Sequence, residues 1–158
     1  MSLRDEFRTA MRKLASTVCI ITTADRSGPR ALVATSVTSA SLDPPAVLFC
    51  VNKAASIHSA LGAGTDFCVN LLSQADREIA RHVASSKGIE RFCRGDWRYN
   101  EPGAPWLGSA QACIFASVAS RIDWHTHSII FGKVTSTSVK ADTSPLLYAD
   151  GTYRVIGT

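Results

Sequence analysis

No stretch of this sequence reaches the roughly 18 uncharged apolar residues that a membrane-crossing helix needs. Its apolar runs, such as residues 18–21 and 46–51, have the length of strands. The opening Met1-Ser2-Leu3-Arg4-Asp5-Glu6 lacks the basic-then-apolar order of an export signal, so a cytoplasmic protein with no membrane contact is expected. Charge of one sign is also scarce. Lys and Arg number 17 against 13 Asp and Glu, a net +4, and the basic residues are scattered rather than gathered into the stripe of a nucleic-acid binder. Nucleic acid is therefore not an expected partner. The five cysteines are odd in number, far apart and never spaced Cys-x-x-Cys, which excludes a disulfide framework or a zinc knuckle. Cys19, Cys50, Cys68 and Cys113 lie in apolar, strand-like runs and read as reduced core thiols. Gly62-Ala63-Gly64 lacks the third glycine of a dinucleotide fingerprint, and there is no Gly-x-Ser-x-Gly nucleophile elbow.

What remains is a chain of 158 residues, 46% hydrophobic and 19% charged, enough to bury its own core as one domain over 1–158. Residues 5–16 place Phe7, Ala10, Met11, Leu14 and Ala15 on one helical face, with Ser2-x-x-Asp5 as a capping box. Strands are predicted over 17–23, 31–41, 46–51, 67–72, 110–122 and 128–137, and a last pair over 146–148 and 153–156 flanks an Asp150-Gly151 turn. Short helices are predicted over 55–61 and 74–84, and a loop over 85–108. Strands outnumber helices and no crossover helices alternate with them. The expected fold is mainly β with flanking helices, an antiparallel sheet closed into a barrel.

Two segments carry candidate chemistry. Thr35-Ser36-Val37-Thr38-Ser39-Ala40-Ser41 is a strand of small residues and hydroxyls that lets a flat ligand approach the backbone. Cys50-Val51-Asn52-Lys53-Ala54-Ala55-Ser56 leaves a strand for a helix, where Lys53, Ser56 and free N–H groups can hold an anion. Together they point to a planar cofactor bearing a phosphate. His125 and His127 share a strand face and would make half of a metal site, but no carboxylate or cysteine cluster completes it, so no metal is expected.

In this order the segments resemble the short-chain flavin reductases of the FMN-binding split β-barrel fold, over nearly the whole chain. The likeness is carried by Phe7-Arg8-x-Ala10-Met11, Val18-Cys19-Ile20-Ile21-Thr22-Thr23 and, most specifically, Thr38-Ser39-Ala40-Ser41-Leu42-Asp43-Pro44-Pro45-Ala46-Val47 running on to Asn52-Lys53-Ala54-Ala55-Ser56. It continues through Phe67-Cys68-Val69-Asn70, Glu90-Arg91-Phe92, His127-Ser128-Ile129-Ile130-Phe131-Gly132 and Pro145-Leu146-Leu147-Tyr148 with Gly151-x-Tyr153. The family's Gly-x-Thr is replaced here by Ala31 and Val33, which removes one hydroxyl donor, and its C-terminal aromatic-His pair by Tyr153-Arg154.

The resemblance implies an NAD(P)H-dependent reductase that reduces FMN or FAD by hydride transfer from NADH or NADPH and supplies a separate flavin-dependent monooxygenase. It implies a homodimer with flavin in interface clefts. The alternatives are a split-barrel oxidase acting directly on an organic substrate and a flavin-binding protein without turnover. Carried onto this sequence, the resemblance sets flavin against Thr35, Ser36, Val37 and Thr38, with Ser41 and Val51 beside them. Asn52, Lys53 and Ser56 fall at the ribityl and phosphate end, Arg91 and Phe92 on the loop approaching flavin, and Tyr153 close by. His127 falls near the nicotinamide as the candidate catalytic side chain.

Overall fold

The computed structural model describes residues 1–100 and 103–157. Helix α1 (Leu3–Met11) starts where the Ser2 hydroxyl accepts the Asp5 N–H at 3.2 Å. It is shorter than the predicted 5–16 because its apolar face is left largely uncovered by the described residues: Phe7, Met11 and Leu14 are exposed, so little burial prolongs it.

Strands β1 (Ser16–Thr17), β2 (Cys19–Asp25) and β3 (Gly28–Ala34) follow, β2 and β3 forming a hairpin whose turn uses Gly28 at φ +110°. The single strand predicted over 31–41 is two. β3 stops at Ala34, residues 35–37 cross over, and β4 (Thr38–Leu42) begins a new pairing with β5 (Pro45–Asn52). The helix predicted over 55–61 is only a 3₁₀ turn, His58–Ala60, after which β6 (Asp66–Leu71) begins. A capping box of Ser73 and Asp76 opens a 3₁₀ turn that leads into α2 (Arg77–Ser85). Within the predicted loop lie a 3₁₀ turn, Gly88–Phe92, and a ribbon of β7 (Trp97–Arg98) with β8 (Trp106–Leu107). Two long strands, β9 (Ala112–Trp124) and β10 (His127–Val139), and the hairpin of β11 (Leu147–Ala149) and β12 (Thr152–Arg154) complete the chain. The last strand is shorter than predicted, β12 ending at Arg154.

The main sheet is antiparallel, ordered β3-β2-β6-β9-β10-β5-β4. Alternating side chains serve two cores. Ile20, Cys68 and Cys113 face a layer closed by Ala80 and Val83 of α2. Ile21, Phe67, Val69, Ala116 and Val118 face Val47, Phe49, Ile130 and the buried Ile57 and Leu61. That second core is the inside of a curl. Phe49 on β5 and Phe67 on β6 meet edge to face at 5.3 Å, although a flat sheet would hold strands three steps apart at roughly 14 Å. Opposite Phe131 and Gly132 the register slips by one residue, a bulge at Ala119 that bends β9, and the Phe67 ring passes where Gly132 has no Cβ.

Candidate functional site

β3 and β4 lie at opposite ends of the strand order, yet only residues 35–37 join them. Four Cα-to-Cα steps reach at most roughly 14 Å from Ala34 to Thr38, so the two edges of the sheet must approach each other there. The crossing is fixed by Ser36, whose hydroxyl accepts the Cys50 N–H at 3.1 Å and donates to the Cys50 carbonyl at 3.2 Å. Val37 is half-buried against the curled core, while Thr35, Ser36 and Thr38 are exposed. A small-residue backbone is thus presented at the seam, beside the end of β5.

β5 ends in an Asx turn, the Asn52 carboxamide accepting the Ala54 N–H at 2.9 Å. In the ladder Asn52 sits opposite His127, the first residue of β10, and the Lys53 N–H donates to the Thr126 carbonyl at 2.9 Å. His127 is exposed and its Nδ1 lies 2.8 Å from the Thr126 hydroxyl, whereas His125 occupies the tip of the β9–β10 turn at φ +46°. The two histidines therefore do not share a strand face. Among the described residues no three His, Cys, Asp or Glu side chains gather into a metal site.

A polar relay that the sequence reading missed ties this corner together. Buried Ser128 donates to Asp123 at 2.6 Å and bonds His58 Nε2 at 2.8 Å. Since the hydroxyl proton goes to Asp123, His58 Nε2 is the donor to Ser128. The Ser128 hydrogen bond, then Arg121 and Lys53, hold the Asp123 carboxyl below the usual carboxylate range. Burial, followed by the positive charge of Arg121, lowers the pKa of His58. Lys53 Nζ stands 4.0 Å from Asp123. The available signal was a lone serine opening the apolar run 128–131.

Ser56 and Arg91, far apart in sequence, line one cavity between the β2–β3 turn and the 3₁₀ turn after α2. Arg91 donates to the carbonyls of Ala31 and Ser86, the latter at 2.9 Å. Arg30, also unforeseen, donates to the Ser56 carbonyl at 3.0 Å. The helix start expected to hold an anion is absent, because the 3₁₀ turn begins only after Ser56. Any anion there depends on side chains.

Tyr153 shares a cavity of about 330 Å³ with Thr35, Val18, Val33 and Tyr148. Its ring meets Tyr148 edge to face at 5.5 Å with the guanidinium groups of Arg77 and Arg81 each 5.7 Å from its centre, and burial raises its phenol pKa. Three of the predicted side chains lie elsewhere. Phe92 packs edge to face on Trp97 at 4.9 Å, Val51 is wholly buried in the curled core, and Ser41 accepts the Asp43 N–H in the turn after β4. Val51 can reach a ligand only through its backbone.

The flavin reductase like domain matches residues 11–157. The reductase component of an FADH(2)-dependent resorcinol hydroxylase from a Rhizobium species is 36% identical over 152 residues, which cover 93% of this chain and 84% of that protein. An FMN reductase (NADH), RutF 1, of Methylorubrum extorquens is 32% identical over 95% of this chain and 75% of its own length. Among solved structures, the NADH:FAD oxidoreductase SgcE6 of Streptomyces globisporus superposes with a TM-score of 0.91 at 30% identity, covering 98% of this chain and 93% of that one.

Proposed function

From the premise that the chain belongs to the flavin reductase like family, we infer that it is an NAD(P)H-dependent flavin oxidoreductase that supplies reduced flavin to a partner monooxygenase. The observation supporting a flavin site in this chain is the meeting of the residue 35–38 crossing with Asn52, Lys53 and His127 along one seam, with Ser56 and Arg91 lining one cavity. These residues fit the group: a flat backbone of small residues suits a ring system, and Lys53, Ser56 and Arg91 suit a phosphate. A bound flavin supplies the ring that accepts hydride from NADH or NADPH.

The protein side of the reaction is mainly positioning. Backbone groups of Thr35, Ser36, Val37 and Thr38 orient the ring, and Asn52 lies beside the ribityl chain. Lys53 supplies a mobile charge and Arg91 a fixed one, since two carbonyls already hold its guanidinium. His127, exposed at the start of β10 and paired with Asn52, orients the nicotinamide. No described helix is long and apolar enough to cross a membrane, and the proposed location is the cytoplasm. The proposed working unit is a homodimer.

Steady-state NADH and NADPH oxidation with riboflavin, FMN and FAD tests the assignment. Turnover that rises with added free flavin is expected. A single reduction of tightly held flavin without turnover overturns it.

A further inference from the structure

The cavity lined by Ser56 and Arg91 extends past them. Its volume is about 390 Å³, and Gly28, Pro29, Arg30 and Ile89 are among its other walls. Small-ligand sites run from ~300 to 1,000 Å³, so this one has room for part of a dinucleotide rather than a whole one. Its chemistry is uneven in a useful way. Arg91 is held by two backbone carbonyls, and among the described residues no carboxylate forms an ion pair with it. Arg30 is anchored to the Ser56 carbonyl at 3.0 Å and to Asp25 at 2.8 Å, and Asp25 is not among the lining residues. Besides the two arginines, Pro29 and Ile89 offer apolar surface, and Ile89 is 63% exposed. The backbone is open at Gly28 and Gly88, where a Cβ would meet nothing within 4 Å.

Two fixed cations beside an apolar shelf suit a phosphate followed by a heteroaromatic base. If Ser56 marks the phosphate end of the flavin, FMN stops at the mouth of this cavity and FAD continues into it. We propose that the cavity is an adenylate subsite, so that the chain takes FAD in preference to FMN. The second phosphate lies between Arg30 and Arg91, and the adenine lies on Ile89 and Pro29. The proposal rests on the reading of Lys53 and Ser56 given above.

Calorimetric titration of the full chain with riboflavin, FMN and FAD tests it without turnover. The wild-type chain should bind FAD more tightly than FMN. Ile89→Glu, at an exposed position, should weaken FAD about tenfold or more and change FMN and riboflavin less than about twofold. Arg30→Gln should weaken FAD more than FMN. Equal losses for FMN and FAD in both variants would overturn the subsite and leave the phosphate-end reading standing. Unchanged FAD binding in both variants also overturns it, as does a loss confined to NADH in a parallel titration, which would assign the adenylate to the nicotinamide nucleotide. A wild-type chain that binds none of the three flavins would reject the underlying site instead.

Discussion

Lys53 carries a charge that its surroundings match only loosely. Its ammonium stands 4.0 Å from Asp123, a carboxylate already engaged by Ser128 at 2.6 Å and Arg121 at 3.2 Å. Such an exposed pair contributes little to stability and leaves the lysine free to turn toward a ligand. Lys53→Ala is therefore expected to weaken FMN about ten- to a hundredfold and riboflavin hardly at all, since only FMN carries the phosphate. Parallel titrations decide it, and equal weakening of both ligands would mean that the fold had been damaged. The histidines separate in the same manner. His127 pairs with Asn52 in the ladder, whereas His125 sits at a turn tip against Trp124. Loss of an orienting group without loss of the hydride chemistry predicts that His127→Ala lowers kcat/KM for NADH by a factor of about ten to a thousand. His125→Ala should change little; matching losses in steady-state kinetics would refute the separation. At this scale residue type and position named Lys53, and the family resemblance named His127. Asp123, His58 and Arg30 stayed hidden, because their roles depend on partners that only the fold supplies.

Among the elements, β10 and the crossing between β3 and β4 do most to shape the site. The β9–β10 ladder must bend to bring Phe49 against Phe67, and it bends at the Ala119 bulge of β9, opposite Phe131 and Gly132. Gly132→Ala drives a methyl group into the Phe67 ring and toward Ala116. Overpacking of that kind costs about 1–3 kcal/mol, and each kcal/mol lowers Tm by about 2–4 °C at this chain length. Gly62→Ala is the control, since its Cβ would meet only the Thr65 hydroxyl, at 3.9 Å. Thermal melts of the two variants should differ accordingly, and equal melting temperatures would exclude the steric account. The hydroxyl-rich run 35–41 looked like one strand because its small, β-compatible residues carry no break signal. The break after Ala34 comes from pairing: β3 joins β2, β4 joins β5, and residues 35–37 must leave the ladder to pass between them. The helix after β5 failed for a related reason. Ile57 and Leu61 are both drawn into the curled core, leaving only one 3₁₀ turn between them.

At the scale of the whole molecule, α1 presents an apolar face left uncovered among the described residues. Leu3 is 81% and Phe7 65% exposed, and no residue of this helix is buried. A helix with an unburied apolar stripe is unstable alone in water, which supports the proposed homodimer. Light scattering at micromolar concentration should give twice the 16.9 kDa chain mass, and Phe7→Asp should shift the protein toward the monomer. A wild-type chain that scatters as a monomer would contradict the dimer.

The sequence by itself determined the strand-rich antiparallel class, the buried thiols of Cys19, Cys68 and Cys113, and the hairpin around Asp150-Gly151, because period-two patterning and turn residues act locally. Burial lifts the Cys19 thiol to about 12, as expected of a core position. Only the tertiary structure decided which predicted residues share a cleft. The sheet had to curl before Ser56 could line a cavity with Arg91, and the β11–β12 hairpin had to dock on the other core before Tyr153 could share one with Thr35. Curvature depends on contacts between strands far apart in the chain, and no local pattern in the sequence records them.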